Sequence, residues 1–203
     1  PRLGLALSGG NPVPGTASTL GLRLGRLPRL SAGGRATVLW AELPDLRRAD
    51  ARGALEFVLP SLDADAAVGL LPGFSPGPAV GGVGSLDALA SLGLLFLPGD
   101  EGFRDDVALG WGVGARLGLL RESFVLPGVS LSAMYRRGED VTYGDPALEE
   151  TDAFFEVGTT GWSLRAAASK RIALFGVTAG LGYDDYTGEV GIGVAAGAGE
   201  DPA

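Results

Sequence analysis

The chain has 203 residues and contains neither histidine nor cysteine, which removes most of the chemistry that catalytic side chains perform. Ser-His-Asp and Cys-His mechanisms need an imidazole to take the nucleophile's proton. Zinc sites draw on thiolate and imidazole in nearly all cases, and without cysteine no disulfide forms. Carboxylates can work alone in pairs, as in glycoside hydrolysis, but the acids here gather in connecting segments with no pairing pattern. No catalytic, metal-ligating or cofactor-binding residue is assigned, and the chain is not read as an enzyme.

Two motifs invite a nucleotide reading. Gly110, Gly112 and Ala115 fit G-x-G-x-x-A, and so do Gly191, Gly193 and Ala196. That fingerprint works where a strand ends and a helix begins, with the helix N-terminus on the pyrophosphate. Both sets lie inside alternating stretches, where they read as small residues on one face of a strand. Residues 138–152 hold Glu139, Asp140, Asp145, Glu149, Glu150 and Asp152 but lack the spacing of a calcium loop. They read as a solvated face.

A different set of charges shares its face with glycine, alanine and serine: Arg23, Arg35, Arg116, Arg136 and Arg165, with Asp63, Asp65 and Asp87. The elements that carry them show a period of two. Val107, Leu109, Trp111, Val113, Ala115, Leu117 and Leu119 alternate with small residues and Arg116, and shorter runs repeat the pattern along the chain. One face is large and apolar; the other is small, polar or arginine. Glycine occurs 35 times, a frequency that long helices tolerate poorly at about 1 kcal/mol each relative to alanine.

The pattern predicts ten strands over 2–9, 18–27, 31–43, 54–71, 86–97, 107–119, 128–137, 156–169, 172–184 and 189–197, in one domain spanning 1–203. Pro60 is expected to mark a bulge in the fourth strand, where the apolar phase changes. The connections at 10–17, 44–53, 98–106, 138–155 and 185–188 hold most of the acid. Those at 28–30, 120–127 and 170–171 are short or basic, and 72–85 is a long Gly/Pro segment. Trp40, Phe96, Trp111, Tyr135, Trp162 and Tyr183 share the outward face and the acidic-loop half of their strands, as an aromatic girdle at a membrane interface would.

These features together resemble the bacterial outer-membrane β-barrel superfamily, and residues 80–98 resemble its fatty-acid transporter group. The resemblance implies an all-β, antiparallel up-and-down transmembrane barrel of about ten strands, surrounded by lipid, with long loops outside and short turns in the periplasm. Such barrels usually finish on an aromatic residue. The ending Gly-Glu-Asp-Pro-Ala departs from that, as expected of a truncated barrel or a longer natural chain.

The expected function is a pore or passive transporter for small solutes in the bacterial outer membrane. The alternatives are a plugged structural or anchoring barrel of the envelope, or a soluble exported barrel holding an apolar ligand. The lumen charges separate the first two. Asp87 is expected beside Arg116, and Arg35 near Asp63 and Asp65, as pairs that fill a small barrel. Arg23, Arg136 and Arg165 would be left over, forming a positive constriction that favours anions. A formal net charge of -8, from 24 acids against 16 bases, argues against nucleic acid as a partner.

Overall fold

The fold was read from a computed structural model, which describes residues 17, 29–44, 54–77, 80–99, 102–145, 153–172 and 174–194. The alternating runs become seven strands: β1 (Leu30–Pro44), β2 (Ala54–Leu71), β3 (Ser85–Phe96), β4 (Val107–Leu120), β5 (Gly128–Gly144), β6 (Ala153–Ile172) and β7 (Phe175–Val194). They pair antiparallel in chain order, β1 to β7, in one sheet that curls as a half-barrel. The expected strands 2–9 and 18–27, and with them Arg23, lie outside the described residues.

Three features of the strands differ from the pattern reading. Segments 172–184 and 189–197 are not two strands around a loop. β7 pairs with β6 without a break from Ile172↔Phe175 to Ala153↔Val194. Asp184, Asp185 and Gly188 carry the composition of a turn, but Asp184 meets an arginine across the ladder. Tyr186 finds space over Gly161, where an added Cβ would come within 2.8 Å of the ring. Tertiary partners override the local signal.

β2 passes through Pro60 with no bulge. Its register to β1 runs unbroken from Leu30↔Val68 to Pro44↔Ala54, with Pro60 opposite Val38. Odd residues of β2 point to the concave side along most of its length, from Phe57 and Leu59 to Ser61, Asp63 and Ala67. What changes at Pro60 is the polarity of each face, not the parity of the strand.

The register shifts lie elsewhere, between Gly69 and Leu71 in β2, between Gly118 and Leu120 in β4, and between Gly138 and Val141 in β5. The expected loop at 138–155 is largely strand, and the ladder steps from Gly138↔Thr159 to Val141↔Val157. One extra residue in β5 flips the facing of everything beyond it. Val141 and Tyr143 thereby turn inward, into the places Asp140 and Thr142 would otherwise take.

Those inversions build a core at one end of the half-barrel. Phe57, Leu59, Leu95, Leu97, Phe103, Ala108, Val141 and Tyr143 pack together on the concave side, with Leu39, Leu43, Leu55 and Phe155 against them. The rings of Phe57 and Phe103 meet edge-on at 5.4 Å, and Phe103 and Tyr143 lie 5.0 Å apart. Phe103 is held in place because residues 102–104 extend the sheet: Arg104 N donates to Thr142 O and Gly144 N to Gly102 O. Burial of Phe57 and of Leu59 contributes about 1.5–3 kcal/mol each.

The opposite end is closed by turns. Residues 72–77 and 80–84 pair as the two arms of a small hairpin, with Phe74 bridged to Val83 and Gly77 to Val80. It needs glycine at 73, 82 and 84, where φ is 70°, 70° and 73°. Arg121 ties this hairpin to the β4–β5 turn, its amide donating to Gly81 O and its Nη2 to Pro72 O.

Candidate functional site

Among the described residues, Arg35, Asp63, Asp65, Asp87, Arg116, Arg136 and Arg165 lie on the concave parity of their strands. Arg116 donates from Nε and Nη2 to Asp87 Oδ2 at 3.0 and 2.8 Å, between adjacent strands β4 and β3. Both side chains are almost wholly buried, at 6% and 0% exposure. Arg35 lies 3.3 Å from Asp63 across the β1–β2 ladder, where the two are register partners. Asp65 follows two residues on, opposite Gly33 and Ser91.

Arg165 departs from its expected place among unpaired cations. Its Nη2 donates to both carboxylate oxygens of Asp184 on β7, and its Nη1 to the carbonyls of Leu164 and Tyr183. Asp184 was legible as a partner only if β6 and β7 were joined by a tight turn, which puts it on the inward face beside Gly182. Arg136 is buried at mid-face, with its Nη2 3.3 Å from Met134 Sδ. Neither Arg136 nor Arg165 is a free cation.

Glycine makes this density of charge possible. A Cβ at Gly112 would lie 2.8 Å from Arg136 Cγ and 2.6 Å from Ser91 Oγ. One at Gly182 would fall inside the Arg165 guanidinium, and one at Gly93 would press on Asp63 Oδ1 at 2.9 Å. Arg136, Arg165 and Asp63 thus each lie against a glycine of the neighbouring strand. That is the structural role of the glycines in the 110–115 fingerprint: Gly112 seats Arg136, and Gly114 abuts the Ala133 carbonyl and Met134. Strand β4 runs on through the segment to Leu120, leaving no helix N-terminus for a phosphate.

Depth divides the concave surface into two zones. At mid-depth it is hydroxyl and charge: Thr37, Ser61, Ser91, Ser132 and Ser163 stand among the Arg–Asp pairs. Beyond lies the apolar cluster around Phe57, which periodicity missed because its residues were assigned to a phase shift or to loops. The usable signal was the coincidence of Leu55, Phe57 and Leu59 with Leu39, Ala41 and Leu43 on strands joined by a hairpin.

The convex surface divides at the same height, in the opposite sense. Leu62, Leu92, Val113, Leu117, Leu131, Leu164 and Leu181 are exposed on it, with Leu92, Val113 and Leu164 the ladder partners of Trp111, Tyr135 and Tyr183. Trp111, Tyr135 and Trp162 form a row on β4, β5 and β6, with centroids 5.8 and 5.0 Å apart and ring planes inclined at 62° and 55°. Trp40, Phe96 and Tyr183 lie on the same face, paired across the ladder with Val58, Val107 and Leu164. Above that level Glu42 stands opposite Glu56, and Glu156 and Glu189 are exposed.

Two further placements bear on the lumen. Ala17, expected in a connection at the acidic end, is fully buried at the opposite end, its amide 2.9 Å from Ser169 Oγ near the β6–β7 turn. At the acidic end a partly open cavity of about 300 Å³ is lined by Asp105, Glu139 and Asp140 with Leu97, Val107, Ala108 and Val141. Among the described residues no three carboxylates are placed to hold a metal ion. Compared with protein-family models, curated proteins and solved structures, the chain matches none.

Proposed function

We propose that this chain is a bacterial outer-membrane β-barrel whose lumen is closed by its own side chains, a structural or anchoring element of the cell envelope. The double closure of the concave face carries the reading. Arg35–Asp63 and Arg165–Asp184 pair across the middle of the face and Arg116–Asp87 nearer its turn end, and the Phe57 cluster packs against the acidic end. Small barrels fill their interiors in this way. The lipid-facing half of the proposal rests on the convex face, apolar up to an aromatic row and acidic beyond it. A tilted strand crosses a bilayer in about 9–11 residues, and the shortest strand here has 12. No catalytic step is assigned.

A second reading, a narrow pore for small anionic solutes, is favoured by the hydroxyl and arginine lining at mid-depth. Planar-bilayer recording separates the two. The closed barrel gives no steady conductance from protein that is folded and inserted, as judged by a gel mobility that changes on boiling. Steady anion-preferring conductance would overturn the closed barrel in favour of the pore. Unchanged mobility together with solubility in buffer alone would overturn both.

A further inference from the structure

The tight turns carry their largest apolar side chains at their tips, and the tips are held rigidly outward. In the β4–β5 turn Phe124 is 98% exposed and Val125 72%; in the β6–β7 turn Leu174 is 95% exposed and Phe175 75%. The two turns are clasped together. Lys170 Nζ donates to the carbonyls of Ser123 and Phe124 at 2.6 and 2.8 Å, and Arg171 N donates to Glu122 Oε1. An ammonium bound by backbone carbonyls holds the turn in the form that leaves Phe124 exposed. Phe74, bridged to Val83 after the end of β2, is exposed at the same end. Solvent-facing turns are ordinarily polar, and a rigid apolar tip points to an apolar surrounding.

Two observations say what that surrounding is. The tips lie at the end of the convex apolar face, Phe124 beyond Leu117 and Leu119 of β4, and Leu174 and Phe175 beyond Leu181 and Val177 of β7. The charge at this end is also opposite to that of the far end: Arg29, Arg121, Lys170 and Arg171 stand beside the single acid Glu122, with Arg29 and Arg171 exposed. Apolar side chains next to exposed arginines match the boundary between acyl chains and anionic phosphate headgroups.

We infer that the turn end is a lipid-binding surface, with Phe124, Val125, Leu174 and Phe175 immersed in the leaflet and Arg29 and Arg171 selecting anionic phospholipid. The inference rests on the membrane reading and adds the depth of the turns and the chemistry of the lipid they contact. Because the chain has no native cysteine, the single variants Phe124→Cys and Val113→Cys can each carry an environment-sensitive fluorophore. The protein is reconstituted in vesicles of phosphatidylcholine and phosphatidylglycerol, with a nitroxide quencher on the acyl chains of one lipid or the other.

The expected result is strong quenching at both positions. At position 124 phosphatidylglycerol is preferred over phosphatidylcholine, and Arg29→Gln or Arg171→Gln lowers that preference by up to about fivefold each. Quenching at 113 but not at 124, with the 124 probe in water, overturns the inference and leaves the barrel intact. A probe at 124 shielded from water yet unquenched shows a protein partner or a second copy on the turns, and overturns it as well. Equal preference for the two lipids overturns the role of the arginines. Water at both positions overturns the membrane reading itself.

Discussion

Arg116 donates two hydrogen bonds to the same oxygen of Asp87, and Asp87 is 0% exposed. A buried pair of this kind is costly to break from one side, because the partner keeps its charge and loses its compensation. Asp87→Asn should therefore destabilise the protein by about 3–5 kcal/mol. Replacing both residues with apolar ones of similar volume should be neutral or stabilising. Urea unfolding of the lipid-reconstituted protein measures both, and a double variant as unstable as the single one would show that the pair organises the fold beyond its own charge.

The glycines do not all have the same task. A Cβ at Gly114 would strike the Ala133 carbonyl and the Met134 Cα, neither of which can rotate away, whereas a Cβ at Gly33 meets nothing within 4 Å. Gly114→Ala should cost about 1–3 kcal/mol as overpacking. Gly33→Ala should be neutral or stabilise by about 0.4–1 kcal/mol, through the lost freedom of the unfolded chain. The difference between the two unfolding midpoints is the test.

Position on the convex face sets the tolerance for charge. Ala166 and Val113 lie outward at the middle of β6 and β4, so Ala166→Arg or Val113→Arg should cost about 2–4 kcal/mol in a bilayer. Ser163→Thr, on the concave face, should cost well under that. Gly112 cannot serve as the mild control despite facing inward, since Arg136 and Ser91 already occupy the space beside it. Equal losses for Ala166→Arg and Ser163→Thr would reverse the assignment of the two faces.

Lys170 is the clasp between two turns, and its removal has a local readout. Lys170→Met should cost about 1.5–3 kcal/mol, the range for hydrogen bonds made by a charged donor. It should also raise the mobility of a nitroxide spin label placed at position 124, because the freed turn samples more conformations. Unchanged label mobility would mean that Glu122 and Arg121 hold the turn without it.

Local chemistry alone determined much of this protein. A period-two pattern with glycine throughout leaves little besides strands, because helices lose stability at every glycine while a sheet can use the missing side chain. The facing of most strands followed, and with it the placing of Arg116 and Asp87, and of Arg35 and Asp63, on one face of neighbouring strands, while the sheet set the register that brings each pair together. Only the tertiary structure decided the ends. Residues 184–188 look like a turn until Arg165 and Gly161 are placed opposite them. Residues 55–59 look out of phase until the packing of Phe57 on Phe103 and Tyr143 shows that the faces exchange polarity there. The bulge after Gly138 has no signature in the sequence, for an inserted residue is defined by the partner strand it fails to match. Lumen and core therefore meet on one concave surface, and where one gives way to the other depends on contacts between residues as far apart as Phe57 and Tyr143.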